Sequence, residues 1–109
     1  VNVVGGEETA QLAGNGAIFI RQDVTDEAGW QAVMKQTEDH FGKLNVLVNN
    51  AGIVVVKTVE NTTTEEWRRV HGIMTDGVFF GLKYGIELMK RNEDRNSIIN
   101  ISSTAAFLG

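Results

Sequence analysis

Two apolar runs in this chain end in side chains able to hold a polar ligand. Val46-Leu47-Val48 stops at Asn49-Asn50-Ala51-Gly52, and the run from Ser97 to Ile101 stops at Ser102-Ser103. Asparagine amides both donate and accept hydrogen bonds, and Gly52 has no Cβ to hold a flat ligand away from the backbone. A positioned serine hydroxyl can stabilise an oxygen as charge builds on it. If both runs are parallel strands of one sheet, they deliver amides and hydroxyls to the same edge and so describe a cleft. Taken singly, Asn49 and Asn50 read equally as turn residues, Ser102 and Ser103 as an ordinary strand end, and Asp23 as a cap or turn residue.

The elements that would position these groups follow from hydrophobic spacing. A weakly helical stretch runs from about Val4 to Leu12, with Gly5 and Gly6 lowering its propensity. Ala17 to Arg21 reads as a strand that stops at Gln22-Asp23. Thr25 or Asp26 then caps a helix whose inward stripe is Trp30, Val33, Thr37 and Phe41, and Gly42 ends it. After strand Val46 to Asn49 comes a polar turn with two overlapping capping boxes, Thr62 with Glu65 and Thr63 with Glu66. One long helix follows, with Trp67, Val70, Met74, Val78, Leu82, Ile86 and Met89 on one face. It stops in the polar loop from Arg91 to Asn96, and the strand at Ile98, Ile99 and Ile101 comes next. Short apolar strands alternating with helices predict an α/β fold with a parallel sheet and helices on both faces.

The long helix also carries Gly77, Gly81 and Gly85 at intervals of four. An interior helix glycine costs up to about 1 kcal/mol relative to alanine, so three of them require compensation. Close packing on the chain's own sheet and a backbone-to-backbone contact between subunits both fit the spacing.

Composition narrows the function classes. The 109 residues allow one small domain, with a 42% hydrophobic content ordinary for a soluble globular chain. The net charge is −4 with both signs interspersed, so no basic patch points to nucleic acid or anionic lipid. No apolar stretch approaches the ~18 residues that cross a bilayer, and no signal peptide is evident. The absence of cysteine excludes disulfides and thiolate metal sites and fits a cytoplasmic location. His40 and His71 are isolated, and no cluster has metal-ligand spacing.

Asp23-Val24-Thr25-Asp26, Gly42 to Gly52, Glu66-Trp67 with Gly77-Val78-Phe79-Phe80-Gly81, and Ser97 to Ser103 together resemble the classical short-chain dehydrogenases/reductases. Their order and separation match across nearly the whole chain. Within that family the chain looks closest to bacterial R-specific secondary-alcohol dehydrogenases, with hydroxysteroid and cyclic-alcohol dehydrogenases as near alternatives. The resemblance implies a partial Rossmann-like doubly wound parallel sheet of three strands, residues 1–109 forming one incomplete dinucleotide-binding domain. It implies NAD or NADP as cofactor, a small apolar alcohol or ketone as substrate, and a homo-oligomer, dimer or tetramer, for the whole protein.

The resemblance also assigns roles. Asp23 matches the carboxylate that accepts from the adenine amino group, and Val24 the neighbour that touches the same ring. Asn50, Ala51 and Gly52 match the segment lining the adenosine ribose and the path to nicotinamide. Ile73 matches an apolar residue covering the adenine, and Ser103 the serine that hydrogen-bonds the substrate oxygen. The family's Gly-rich phosphate turn, the residue choosing NAD or NADP, and its Tyr and Lys pair fall outside the matched stretch. Tyr84 and Lys83, adjacent on a helix, cannot replace that pair. The chain is therefore expected to be an internal piece of a longer enzyme. Met74 stands where the family usually has an Asn that supports a proton relay, and a thioether cannot donate to that water. This departure leaves open a second reading, a dinucleotide-binding protein with impaired chemistry. The Gly stripe motivates a third, an interaction module. Residues Ile53 to Thr58 and Thr104 to Leu108 promise a mostly apolar lining. In the doubly wound order, the strand ending at Asp23 is not a neighbour of the strand ending at Asn49.

Overall fold

Short polar side chains decide where the helices begin. In the computed structural model, which describes residues 2–104, α1 spans Val3–Ala13 and is capped by Asn2, whose side chain accepts from the Gly5 N–H. Asp26, rather than Thr25, caps α2 (Glu27–Phe41) by accepting from the Ala28 N–H, and Gly42 closes it in the left-handed conformation at φ 79°. Of the two overlapping capping boxes, Thr63 with Glu66 forms at the start of α3 (Thr64–His71). The Thr62 hydroxyl instead donates to the Thr58 carbonyl at 3.0 Å.

The helix expected to run unbroken past Trp67 contains a π turn at Gly72–Asp76, in which the Gly77 N–H reaches back five residues to the Gly72 carbonyl. α4 then continues from Gly77 to Met89. One extra residue in the turn rotates everything after it by about 100° relative to an uninterrupted α-helix. The predicted apolar face is broken for this reason. Met89 is buried, but Trp67, Met74 and Ile86 are exposed, and the buried face of α4 is Gly77, Gly81, Gly85 and Leu88.

The glycine face rests on the chain's own sheet. A Cβ at Gly77 would stand 2.9 Å from Val24 Cγ2, at Gly81 2.4 Å from Asn49 Oδ1 and 3.0 Å from the Trp30 ring, and at Gly85 2.8 Å from Leu47. Close packing on the sheet therefore explains the stripe. The subunit contact that it also suggested is overturned, because this face is already covered.

β1 (Val46–Asn49) and β2 (Ser97–Asn100) pair in parallel, with Val46 opposite Ser97 and Asn49 opposite Asn100. The Ile101 N–H extends the ladder to the Asn49 carbonyl at 3.0 Å. The expected strand at Ala17 to Arg21 does not form a ladder. In a doubly wound order its neighbours are strands other than β1 and β2, and a strand without a partner has nowhere to send its backbone hydrogen bonds.

The core is Trp30, Met34 and Leu88, with Val24, Leu44, Leu47, Phe80 and Tyr84 packed around them. It lies between α2, α4 and one face of β1. Phe41, expected in the inward stripe of α2, is 51% exposed and meets His40 edge-on instead. Helix α2 outruns the core, whose α2 contribution ends at Met34. The opposite sheet face presents Val46, Val48, Ile99 and Ile101 to the exterior. At the end of the sheet away from the asparagines, Asn92 donates to the Leu44 carbonyl at 2.6 Å, tying the α4–β2 loop to the lead-in to β1, and Asn96 donates to the Met89 carbonyl at 3.1 Å, tying it to the end of α4.

Replacing Gly81 by alanine tests the close approach. Helix propensity alone stabilises such a change by up to about 1 kcal/mol, whereas overpacking costs about 1–3 kcal/mol. A lowered urea midpoint is expected, and a raised one would show that α4 does not sit where the Asn49 contact requires.

Candidate functional site

Parallel register brings the two polar strand ends to one rim. Asn49 and Asn100 stand opposite each other, and the Asn49 Nδ2 donates to Asn100 Oδ1 at 2.9 Å. Asn50 to Gly52 and Ser102-Ser103 therefore leave the sheet from adjacent strands in the same direction. Asn49, only 8% exposed, belongs to the scaffold, while Asn50 is exposed at the rim.

Beside this rim opens a cleft of about 1040 Å³. One wall is Gln22, Asp23, Val24 and Thr25, the floor is Ala51 to Ile53, and the other wall is α3 with the first residues of the π turn. A recess of about 140 Å³ beside it is lined by Val24, Asn50, Ala51, Ile73 and Gly77 among others. Asp23, Val24, Ala51, Gly52 and Ile73 thus meet in one cleft, and Asn50 joins them in the recess. Ser103 lines neither and stands beyond the end of β2. Of the apolar lining expected around the site, Ile53 is in the cleft, whereas residues 105–109 lie outside the described residues.

Local hydrogen bonds hold the Asp23 wall in shape. Asp23 Oδ1 accepts from the Thr25 N–H at 2.9 Å and from the Thr25 hydroxyl at 2.8 Å, leaving Oδ2 without a partner among the described residues. These two donors, the backbone N–H foremost, hold the Asp23 carboxyl below its ordinary range. The Trp30 indole N–H donates to the Val24 carbonyl at 2.9 Å, fixing the same turn to the core. The space beside Gly52 is open, and a Cβ there would meet nothing nearer than the Asn50 carbonyl at 4.0 Å. Gln22, on the same wall, buries its Nε2 donor without an acceptor.

Sequence reasoning passed over Gln22, Thr25, Thr64, Glu65, Arg68 and Arg69 as lining residues. Thr25 was legible in principle, because Asp-x-Thr is an Asx-turn pattern. The α3 residues were not, since their placement depends on the long-range approach of α3 to the turn at residues 22–25. Among the described residues, no group of three His, Asp or Glu side chains is placed to hold a metal ion, and no helix is long and apolar enough to cross a membrane.

Comparison with known proteins agrees with this geometry. The short chain dehydrogenase family profile matches residues 4–109. The NADP-dependent (R)-specific alcohol dehydrogenase of Lentilactobacillus kefiri is 47% identical over 106 residues, covering 95% of this chain and 42% of that enzyme. The 3-beta-hydroxysteroid dehydrogenase of Comamonas testosteroni is 40% identical over 108 residues, covering 99% of this chain and 42% of the relative. A solved Burkholderia phymatum short-chain dehydrogenase/reductase in complex with NAD superposes with a TM-score of 0.87 at 29% identity, covering 94% of this chain and 37% of that one. The fold and its rim define a Rossmann-type α/β protein. The chain belongs to the short-chain dehydrogenase/reductase family, and it spans less than half the length of these relatives.

The Asp23 turn has a pH signature. With a folded value below the ordinary one, its contribution to stability is complete above the unfolded value and vanishes as pH falls through the folded one. A carboxyl-carbon NMR titration should give Asp23 a depressed midpoint. Thr25→Val, which keeps the backbone donor and removes the hydroxyl, should leave the depression smaller but present. A midpoint at the ordinary carboxylate value in the unsubstituted protein would rule out the turn as described.

Proposed function

We propose that the whole protein carrying this chain is an NAD(P)-dependent oxidoreductase that interconverts a secondary alcohol and a ketone. The observation that carries this reading is the register of β1 and β2. It sends Asn50-Ala51-Gly52 and Ser103 off one rim, beside a cleft whose far wall holds Asp23. The residues fit the adenosine half of the cofactor. Asp23 Oδ2 is an unpartnered acceptor suited to the adenine amino group, Gly52 leaves open space where a side chain would stand, and Gln22 Nε2 is a donor in need of an acceptor. When bound, NAD(P) supplies or takes the hydride.

In this reading, Asp23 and Val24 hold the adenine edge and Ile73 covers the ring. Asn50, Ala51 and Gly52 line the ribose and the way toward the reacting end. Ser103 hydrogen-bonds the substrate oxygen, so that charge arriving on that oxygen meets a donor already in place. Similarity to an alcohol dehydrogenase and to a hydroxysteroid dehydrogenase supports an apolar alcohol or ketone, with hydroxysteroid or cyclic-alcohol oxidation as finer alternatives within the same chemistry. Met74, in the π turn and exposed, favours a second reading, a dinucleotide-binding protein with impaired turnover. Trp67 and Phe79, 60% and 57% exposed on α3 and α4, support a homo-oligomer.

Ser103→Ala in the whole protein tests the assignment. Removing one donor to a developing oxyanion lowers kcat by about 10²–10³-fold. The Kd for NAD(P) is expected to change little, and a turnover that survives the substitution would exclude Ser103 from the chemistry. A wild-type protein that binds NAD(P) but turns over no alcohol or ketone would favour the second reading.

A further inference from the structure

An exposed turn outside the cleft carries reactive chemistry. Of the nine asparagines in the chain, only Asn15 is followed by glycine. Residues 14–17 form the turn that follows α1, in which the Ala17 N–H donates to the Gly14 carbonyl at 2.9 Å. Asn15 and Gly16 both have positive φ, 51° and 80°, the type I′ pattern. The turn folds the next segment back along α1, so that the Phe19 ring covers Gly6, where a Cβ would stand 2.3 Å from it. Asn15 and Gly16 themselves are exposed, and a Cβ on Gly16 would meet nothing within 4 Å. Among the described residues, neither the Asn15 carboxamide nor the Gly16 N–H makes a hydrogen bond.

Asn96, which precedes the small residue Ser97, makes the contrast. Its Oδ1 accepts from Asn92 at 2.9 Å, its Nδ2 donates to the Met89 carbonyl at 3.1 Å, and the Ser97 N–H is held by the Asn45 carbonyl at 2.8 Å. There the carboxamide and the nitrogen that would attack it are both engaged. We propose that Asn15 is a site of spontaneous deamidation. The Gly16 backbone nitrogen, having given up its proton to solvent base, attacks Asn15 Cγ. The Cγ–Nδ2 bond breaks, Nδ2 leaves as ammonia, and a cyclic succinimide joins the two residues. Water then opens the ring at Cγ to give an aspartyl residue, or at the main-chain carbonyl to give an isoaspartyl one. Either product adds a carboxylate just past the C-terminal end of α1, whose last turn holds no basic residue, and so opposes the helix dipole. The isoaspartyl product also lengthens the main chain inside the turn that seats Phe19 on Gly6.

The test holds the whole protein at mildly alkaline pH, folded and in guanidinium chloride, and maps its peptides by mass spectrometry with isoaspartyl methyltransferase labelling. In the folded protein, position 15 should lose its amide while position 96 keeps it. In guanidinium, which removes the Asn96 hydrogen bonds, both should convert. Asn15→Gln, whose longer side chain closes the ring poorly, should abolish labelling at this position. If Asn15 keeps its amide in the folded protein and loses it only in guanidinium, the turn protects the site and the proposal is overturned. Conversion of Asn96 as fast as Asn15 in the folded protein, or labelling at position 15 that persists in N15Q, overturns it as well.

Discussion

The carboxamide of Asn49 is pinned from two sides, and the placement of the rim depends on that. Its Nδ2 reaches Asn100 across the strand pair, while its Oδ1 lies against the helix backbone at Gly81, where any side chain would collide. The hydrogen bond fixes the two strand ends to each other, and the tight packing at Gly81 fixes the helix against them. Gly77 and Gly85 extend the same close approach to Val24 and Leu47. The turn carrying Asp23 and the strand carrying Asn50 are thereby fixed against a common helix, although they share no ladder.

Much of this was legible from residue types. The Asn-Asn-Ala-Gly strand end, the parallel pairing and the positions of the two helix starts, narrowed to two candidate caps each, follow from local chemistry and spacing; the structure selects Asp26 and Thr63. Local signals failed where the outcome depended on distant partners. Ala17 to Arg21 has strand composition and still makes no ladder, because a strand is a property of two segments and composition describes only one. Phe41 has the right spacing for burial but lies beyond the reach of the core. Arg68 and Arg69 enter the cleft lining only because α3 forms a wall opposite residues 22–25, an approach no local pattern encodes.

The site divides between a rigid part and a set of unspent polar groups. Thr25 and Trp30 hold the Asp23–Val24 turn through one carboxylate oxygen and one carbonyl, and the second carboxylate oxygen remains available. Fixed donors and acceptors around an open volume make recognition depend on where the ligand carries its own polar atoms. Family membership supplies the expectation of a dinucleotide.

The π turn at Gly72–Asp76 bears on how such a chain tolerates length changes. Deleting one residue there would let α3 and α4 merge into a single regular helix, at little local penalty. The merger would swing Gly77, Gly81 and Gly85 away from the strands and bring bulkier neighbours round in their place. Insertions and deletions in this short stretch are therefore constrained by the fit of the helix that follows it, and not by the turn itself.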